Sequence, residues 1–144
     1  MRRFLVFILV LLPFIGHSQI SKILGKWNTL DDRTGEMRSC VNIYEKGGKY
    51  YGEVALLYEK DGKGGYKVMQ EPYAKEYQGV VGTIVLLGLE PKGDVLKGKL
   101  YDPEGQKEYY GKVSYNAKTG ELDVRGSLDR LGALGRTQHW VRKK

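Results

Sequence analysis

Along most of this chain apolar and polar residues alternate in short runs, and Gly or Asp-Gly marks separate the runs. Period-two alternation in runs rich in Val, Ile, Tyr and Thr predicts short β-strands. In CVNIYEKGGKYYGEVALLYE, Val41 and Ile43 alternate with Asn42 and Tyr44. Gly47-Gly48 supplies a turn within Lys46 to Lys49, and the chain resumes as a strand through Leu57, which makes a hairpin. The stretch DVLKGKLYDPEGQKEYYGKVSYNAKTGELDVRG reads as three further strands. Leu96 and Leu100 share a face that Lys97 and Lys99 avoid, so one side is wet, and Leu122 and Val124 face inward opposite Asp123 and Arg125. Asp102-Pro103-Glu104-Gly105 makes the first connecting turn, with Pro at its second position and Gly at its end, and Asn116 to Gly120 makes the second. RTQHWVRK, from Arg136, is the last strand.

Two stretches depart from this rhythm. VVGTIVLLGL is almost wholly apolar. Its length suits a buried helix, but the β-branched Val80, Val81, Thr83, Ile84 and Val85 and the flanking glycines argue for a strand covered on both faces. KDGKGGYKVMQEPYAKEYQG, Lys60 to Gly79, has no period and forms the longest irregular connection, the kind of segment on which binding tends to sit. The fold expected is therefore all-β, a single antiparallel, mostly up-and-down barrel of about eight strands. A meander exposes two edges unless it closes on itself. Eight strands enclose an interior that side chains nearly fill or that admits one small ligand.

Ahead of the strands stand Met1-Arg2-Arg3, an apolar run from Phe4 to Ile15, and Gly16-His17-Ser18. A basic start, an apolar run of secretory length and small residues at its end predict a signal peptide, residues 1–18, cleaved after Ser18. Pro13 interrupts the run, which falls short of the ~20 apolar residues that span a bilayer, so a membrane anchor is disfavoured and no transmembrane segment is expected in the mature chain. The location expected is exported, periplasmic or extracellular. Residues 19–144 then form one domain, a size that leaves little room for a second. Arg2 and Arg3 leave with the signal, so 22 basic residues face 17 acidic ones. A net positive charge favours anionic lipid, glycan or acidic protein as partner. The basic residues are scattered and the chain is exported, so nucleic acid is not an expected partner. Cys40 is the single cysteine, so no intramolecular disulfide forms, and a buried thiol packing as a small hydrophobe is its expected state.

The segments GKW…DD…TGE…VNIYEKGGKYYGEV, GLE…LKGKLYDPEGQKEYYGKVSY and ELDVRGSLDRLGALGRTQHWVRK resemble the exported bacterial family catalogued as domain of unknown function 2147, from about Gly25 to Arg142. VRG followed by LGRTQHW is the most specific part, and GKLYDP with its following Gly and Tyr comes next. That resemblance implies a lipocalin-like barrel and an exported location, and no activity is established for the family. The opening Gly-x-Trp is also similar to that of lipocalins, which pack a late arginine across the indole. On this resemblance Gly25, Trp27 and Trp140 close the barrel, with Arg125, Arg136 and Arg142 as candidate partners of Trp27.

Little in the chain suits catalysis. His139 is the one histidine left after cleavage, so with Cys40 it offers too few ligands for zinc, and no metal or cofactor is expected. No serine stands in an elbow or oxyanion-type glycine motif, and no catalytic residue is assigned. Asp31, Asp32 and Glu36, and Asp102 with Glu104, sit in turns without EF-hand spacing, where Asp commonly bonds its own backbone. Eleven tyrosines are distinctive, and strand packing accounts for most of them. Tyr44, Tyr51, Tyr101, Arg125 and Arg136 are the expected ligand-binding residues, the arginines meeting a ligand's acid group. The expected function is non-enzymatic: holding a small apolar or amphipathic molecule, or a lipid acyl chain, in the barrel mouth. The second reading is an envelope interaction module that binds glycan, membrane surface or a protein partner through its outer face. A continuous internal cavity favours the first, and a filled core with an exposed aromatic patch favours the second.

Overall fold

The computed structural model describes residues 18–144; the expected signal peptide, apart from its last residue, lies outside the described residues. A short helix, α1 (Ser18–Ser21), precedes nine strands: β1 (Gly25–Leu30), β2 (Met37–Lys46), β3 (Lys49–Lys60), β4 (Tyr66–Val68), β5 (Ile84–Lys92), β6 (Val95–Asp102), β7 (Lys107–Asn116), β8 (Glu121–Ser127) and β9 (Gly135–Arg142). Eight of them close an antiparallel barrel in the order β1-β2-β3-β5-β6-β7-β8-β9, and β9 returns to β1 through Trp27 opposite Arg142 and Asn28 opposite Val141. No edge of the barrel is left bare, which removes the aggregation hazard of a meander. The ninth strand, β4, is a ribbon laid on the end of β3, with Tyr58 opposite Val68 and Lys60 opposite Tyr66.

The core follows the alternation. Trp27, Val41, Ile43, Leu86, Leu89, Leu96, Val113 and Leu122 all point inward and are buried. The two predicted turns form as Asx turns: Asp102 Oδ1 accepts the Glu104 N–H, and Asn116 Oδ1 accepts those of Lys118 and Thr119.

Two details differ from the sequence reading. The apolar run does not enter its strand at Val80, because Gly79 and Gly82 take positive φ and the chain turns there. Thr83 N–H bonds Val80 O, Thr83 Oγ1 donates to Gly79 O, and the strand begins at Ile84. Val80 and Val81 still pack against the core, so their apolar character reflects burial and not pleating. The stretch 60–79 carries β4 and a 3-10 turn at Lys75–Tyr77, and Met69 and Tyr77 from it also pack on the core.

Candidate functional site

The two ends of the barrel differ. At one end the helix α1 packs against β6 and β7 and seats Ile20 in the core, and Ile23, just after it, is buried beside it. There Trp27 is fully buried, its Nε1 donates to Ile23 O at 2.8 Å, and the Arg142 guanidinium lies 4.0 Å from the ring centroid. Arg142 also donates from Nη1 to Leu24 O at 2.7 Å and from Nη2 to Lys22 O at 2.6 Å. One side chain thus stacks on the indole and ties the segment before β1 to the last strand. Gly25 permits the crossing, because its φ is 112° and a Cβ there would lie 2.9 Å from Arg142 Nη1.

Towards the other end runs a cavity of about 1210 Å³, whose lining passes from buried Val41 and Leu86 out to exposed Asp32, Glu104 and Leu134. It is therefore open at the end where β1–β2, β3–β5, β6–β7 and β8–β9 connect. Ligand pockets commonly measure ~300–1,000 Å³, so the space suits a molecule and exceeds a packing defect. Leu57, Val85, Leu100, Tyr109, Val124 and Trp140 make most of the wall apolar. Thr29, Ser39, Ser127 and Gln138 add neutral polar groups. All four already have partners: the hydroxyls of Thr29 and Ser39 are 2.7 Å apart, Ser127 Oγ donates to Asp129 O at 2.7 Å, and Gln138 Oε1 accepts from Trp140 Nε1 at 3.0 Å. Met69, Tyr77 and Val80 close one side, so the irregular connection supplies part of the wall.

Charge is confined to the rim and is mostly paired. Arg136 meets Asp32 at 2.5 Å, Lys60 meets Glu36 at 2.7 Å, and Arg38 reaches Glu104 in the β6–β7 turn at 2.8 Å. The Glu104 hydrogen bond raises the Arg38 pKa, and the bond to Glu36 raises that of Lys60. The basic partners of these pairs are largely exposed, so the pairs serve more to order the rim than to stabilise the fold. Asp31 accepts the Arg33 and Thr34 N–H groups, which lowers its carboxyl pKa.

The residues expected to bind ligand divide between two places. Tyr101 and Arg136 line the cavity at its rim. Tyr44 and Tyr51 do not: with Ile43 and Tyr50 turned inward, the alternation places both outside, where their rings stack at 5.8 Å. Arg125 also faces outward, donating from Nε and Nη2 to Gly132 O and from Nη1 to Thr137 Oγ1. Of the three arginines considered for Trp27, Arg142 is the one stacked on it. Trp140 is buried within the cavity wall, beyond the end that Trp27 closes. Tyr109 and Gln138 are cavity residues that the sequence reading missed, although pairing opposite Leu100 and Val124 assigns each to the inner face.

His139 is exposed on the outer face, its Nδ1 2.7 Å from Asp123 Oδ1. Cys40 is wholly buried opposite Asn28 and Leu56, and burial pushes its thiol pKa up, so it is an inert packing group. Among the described residues no group of three or more His, Cys, Asp or Glu is placed to hold a metal ion. No described helix is long and apolar enough to cross a membrane.

The profile of a bacterial family, described as "Uncharacterized protein conserved in bacteria (DUF2147)", matches residues 25–142. The chain belongs to this family. The matched span of this DUF2147 protein covers the whole barrel, from the Gly-x-Trp of β1 to the arginine stacked on it. Among solved structures it is similar to one titled "Protein HP1028 from the human pathogen Helicobacter pylori belongs to the lipocalin family". The likeness has a TM-score of 0.59 at 23% identity, over 84% of this chain and 82% of that one, and shows a lipocalin-like fold. No curated protein matches the DUF2147 chain in sequence.

One part of the open end is held with particular care. In the 128–134 loop, Asp129 accepts the Leu134 and Ala133 N–H groups, which lower its carboxyl pKa, and Leu128 N–H bonds Leu134 O. Because the folded pKa is depressed, this tie is fully present above the ordinary aspartate value of about 3.9 and is lost as pH falls through the lower folded value. Hydrogen exchange at the Ala133 and Leu134 amides is therefore expected to stay slow at pH 5 and to accelerate under strong acid. In Asp129→Ala protection relative to the intrinsic exchange rate should be lost at every pH, and equal protection in that variant would remove the carboxylate from this role.

Proposed function

We propose that this DUF2147 protein is an exported, non-enzymatic carrier that holds one small apolar or amphipathic molecule, such as a lipid acyl chain, in its barrel. The observation that carries the reading is the cavity of about 1210 Å³: walled by Leu, Val, Tyr and Trp, sealed at the Trp27 end and open at the other. A barrel with its interior filled by side chains would have argued for a surface-binding role. The lipocalin-like fold supports ligand binding in general, although fold alone does not decide function. Apolar walls with neutral polar groups favour a ligand that is mostly hydrocarbon. The paired rim charges leave its polar end in water. Export is proposed from the basic and apolar first residues, Met1 to Ser18.

The test is a native mass spectrum of the protein recovered from its own cell envelope, before and after denaturation. A stoichiometric extra mass released on unfolding, on a chain that begins at Gln19, is the expected result. A bare mass that stays bare after incubation with envelope lipid would defeat the carrier reading, and a chain that still begins at Met1 would defeat export. Gly126 supplies a matching variant. It lines the cavity, and a Cβ there would meet Leu100 and Tyr109 only at an ordinary 3.7 Å. Gly126→Val should therefore weaken uptake of the fluorescent amphiphile anilinonaphthalene sulfonate by about tenfold or more while shifting stability by less than ~1 kcal/mol.

A further inference from the structure

Three leucines stand exposed in one loop at the cavity mouth: Leu128 at 58%, Leu131 at 94% and Leu134 at 68%. Scattered single leucines are ordinary on a surface, but three within seven residues form a patch. The loop that carries them is rigid. Besides the Asp129 bonds and the Leu128–Leu134 pair, Ser127 Oγ donates to Asp129 O, Gly132 N–H bonds Asp129 O, and Arg125 donates twice to Gly132 O. These bonds engage the N–H groups of Leu128, Gly132, Ala133 and Leu134 and the carbonyls of Asp129, Gly132 and Leu134, so the loop is braced at its base and presents Leu131 at its tip.

We propose that this loop is a membrane-docking tip that inserts Leu128, Leu131 and Leu134 into an anionic lipid surface and sets the open end of the barrel on the bilayer. Leu128 and Leu134 line the cavity itself, so the apolar surface is continuous from the tip into the wall. A hydrocarbon chain passing between bilayer and barrel along this face would not cross water. Charge favours lipid over an acidic or neutral protein face. Asp32, Glu36 and Glu104 are engaged by Arg136, Lys60 and Arg38, while Asp31 and Asp129 are held by backbone N–H groups. Arg130 within the loop and Arg33 in the neighbouring β1–β2 turn are exposed and make no ion pair among the described residues, so they are available to lipid phosphates. Even without Arg2 and Arg3 the chain is basic, with 22 basic residues against 17 acidic ones. Shallow insertion of apolar side chains together with attraction of basic ones is how proteins lie on anionic membranes without spanning them. The inference extends the carrier reading and rests on it only for the purpose of docking; the insertion has its own readout.

That readout is a tryptophan placed at the tip, Leu131→Trp, compared with one placed in the exposed β7–β8 turn at the sealed end, Lys118→Trp. The natural Trp27 is buried away from the cavity, and Trp140, which lines it, is changed to Phe in both proteins so that lipid entering the barrel does not contribute to the signal. With vesicles of phosphatidylcholine and phosphatidylglycerol, emission from the Leu131→Trp protein should move to shorter wavelength and be quenched by lipids brominated in the acyl chain. Emission from Lys118→Trp should do neither. Leu131→Asp, which changes the one leucine of the three that does not line the cavity, should bind the same vesicles more weakly by about tenfold or more, while taking up anilinonaphthalene sulfonate in solution as the natural chain does. No shift at the tip, an equal shift at both ends, or undiminished vesicle binding by Leu131→Asp would each overturn the proposal. Failure of the natural chain to take up the amphiphile, with the tip still inserting, would instead overturn the carrier reading alone.

Discussion

Trp27→Ala is expected to lower stability by about 3 to 5 kcal/mol, the range for removing a large buried aromatic. For a chain of this size that corresponds to a fall in Tm of roughly 10 to 20 °C. Three losses coincide at this position. The indole is fully buried, so its removal leaves a void against Ile20 and Ile23. Its Nε1 no longer satisfies Ile23 O, and the Arg142 guanidinium loses the ring on which it lies. A cation over an aromatic face contributes ~0.5 to 2 kcal/mol, so Arg142→Ala alone should cost less than the tryptophan change. The double variant should cost less than the sum of the two, because each single change already removes the shared contact. Thermal and urea unfolding of the four proteins measure this. A change of under about 1 kcal/mol for Trp27→Ala, or strict additivity of the pair, would mean that the indole and guanidinium do not form the seal described above.

Leu86→Ala is expected to cost about 2 to 5 kcal/mol, and unusually, a second substitution that is harmful by itself should recover part of the loss. Leu86 is buried where the cavity meets the core, and its Cγ would stand 2.6 Å from a Cβ placed on Gly52 of the neighbouring strand. Gly52→Ala alone therefore overpacks the site, at a cost of ~1 to 3 kcal/mol. Once Leu86 has been truncated the two nearest obstructing atoms are gone, only Val41 Cγ1 at 3.0 Å still has to give way, and the added methyl fills part of the void. The double variant should be more stable than the sum of the single effects predicts by on the order of 1 kcal/mol. Denaturant unfolding of the two single variants and the double variant gives the coupling directly. Its absence would show that β3 yields to the methyl and that Gly52 is not fixed by the close approach of Leu86.

Much of this was legible in the sequence, for a specific reason. Alternation reports which side of a strand a residue takes, and Val41, Ile43, Leu96, Leu122 and Val124 all lie where the period puts them. The Asx turns at Asp102 and Asn116 were readable because their signal is local. Alternation does not tell how far across the barrel two inward residues stand, so the cavity could not be read from it. Tyr44 and Tyr51 are prominent in composition, yet register with Ile43 and Tyr50 turns them to the outside. The 60–79 stretch hid its contribution because Met69 and Tyr77 are held by tertiary packing on the core and not by a period of their own. Val80 and Val81 misled for a related reason: burial in a turn and burial in a strand select the same side chains, and only the positive φ of Gly79 and Gly82 separates them.

The seam between β1 and β9 has a consequence for how the protein is made. It joins Trp27 to Arg142, and Lys143 N–H bonds Lys26 O, so the first and last parts of the described chain meet in one short ladder. Hairpins along the rest of the sheet can form from neighbouring sequence, but the seal must wait for the final strand to be synthesised. Contacts so distant in sequence make folding slow. A chain without Arg142 lacks the residue that stacks on Trp27 and ties β9 to the segment before β1, so closure of the whole barrel hangs on the end of a single strand.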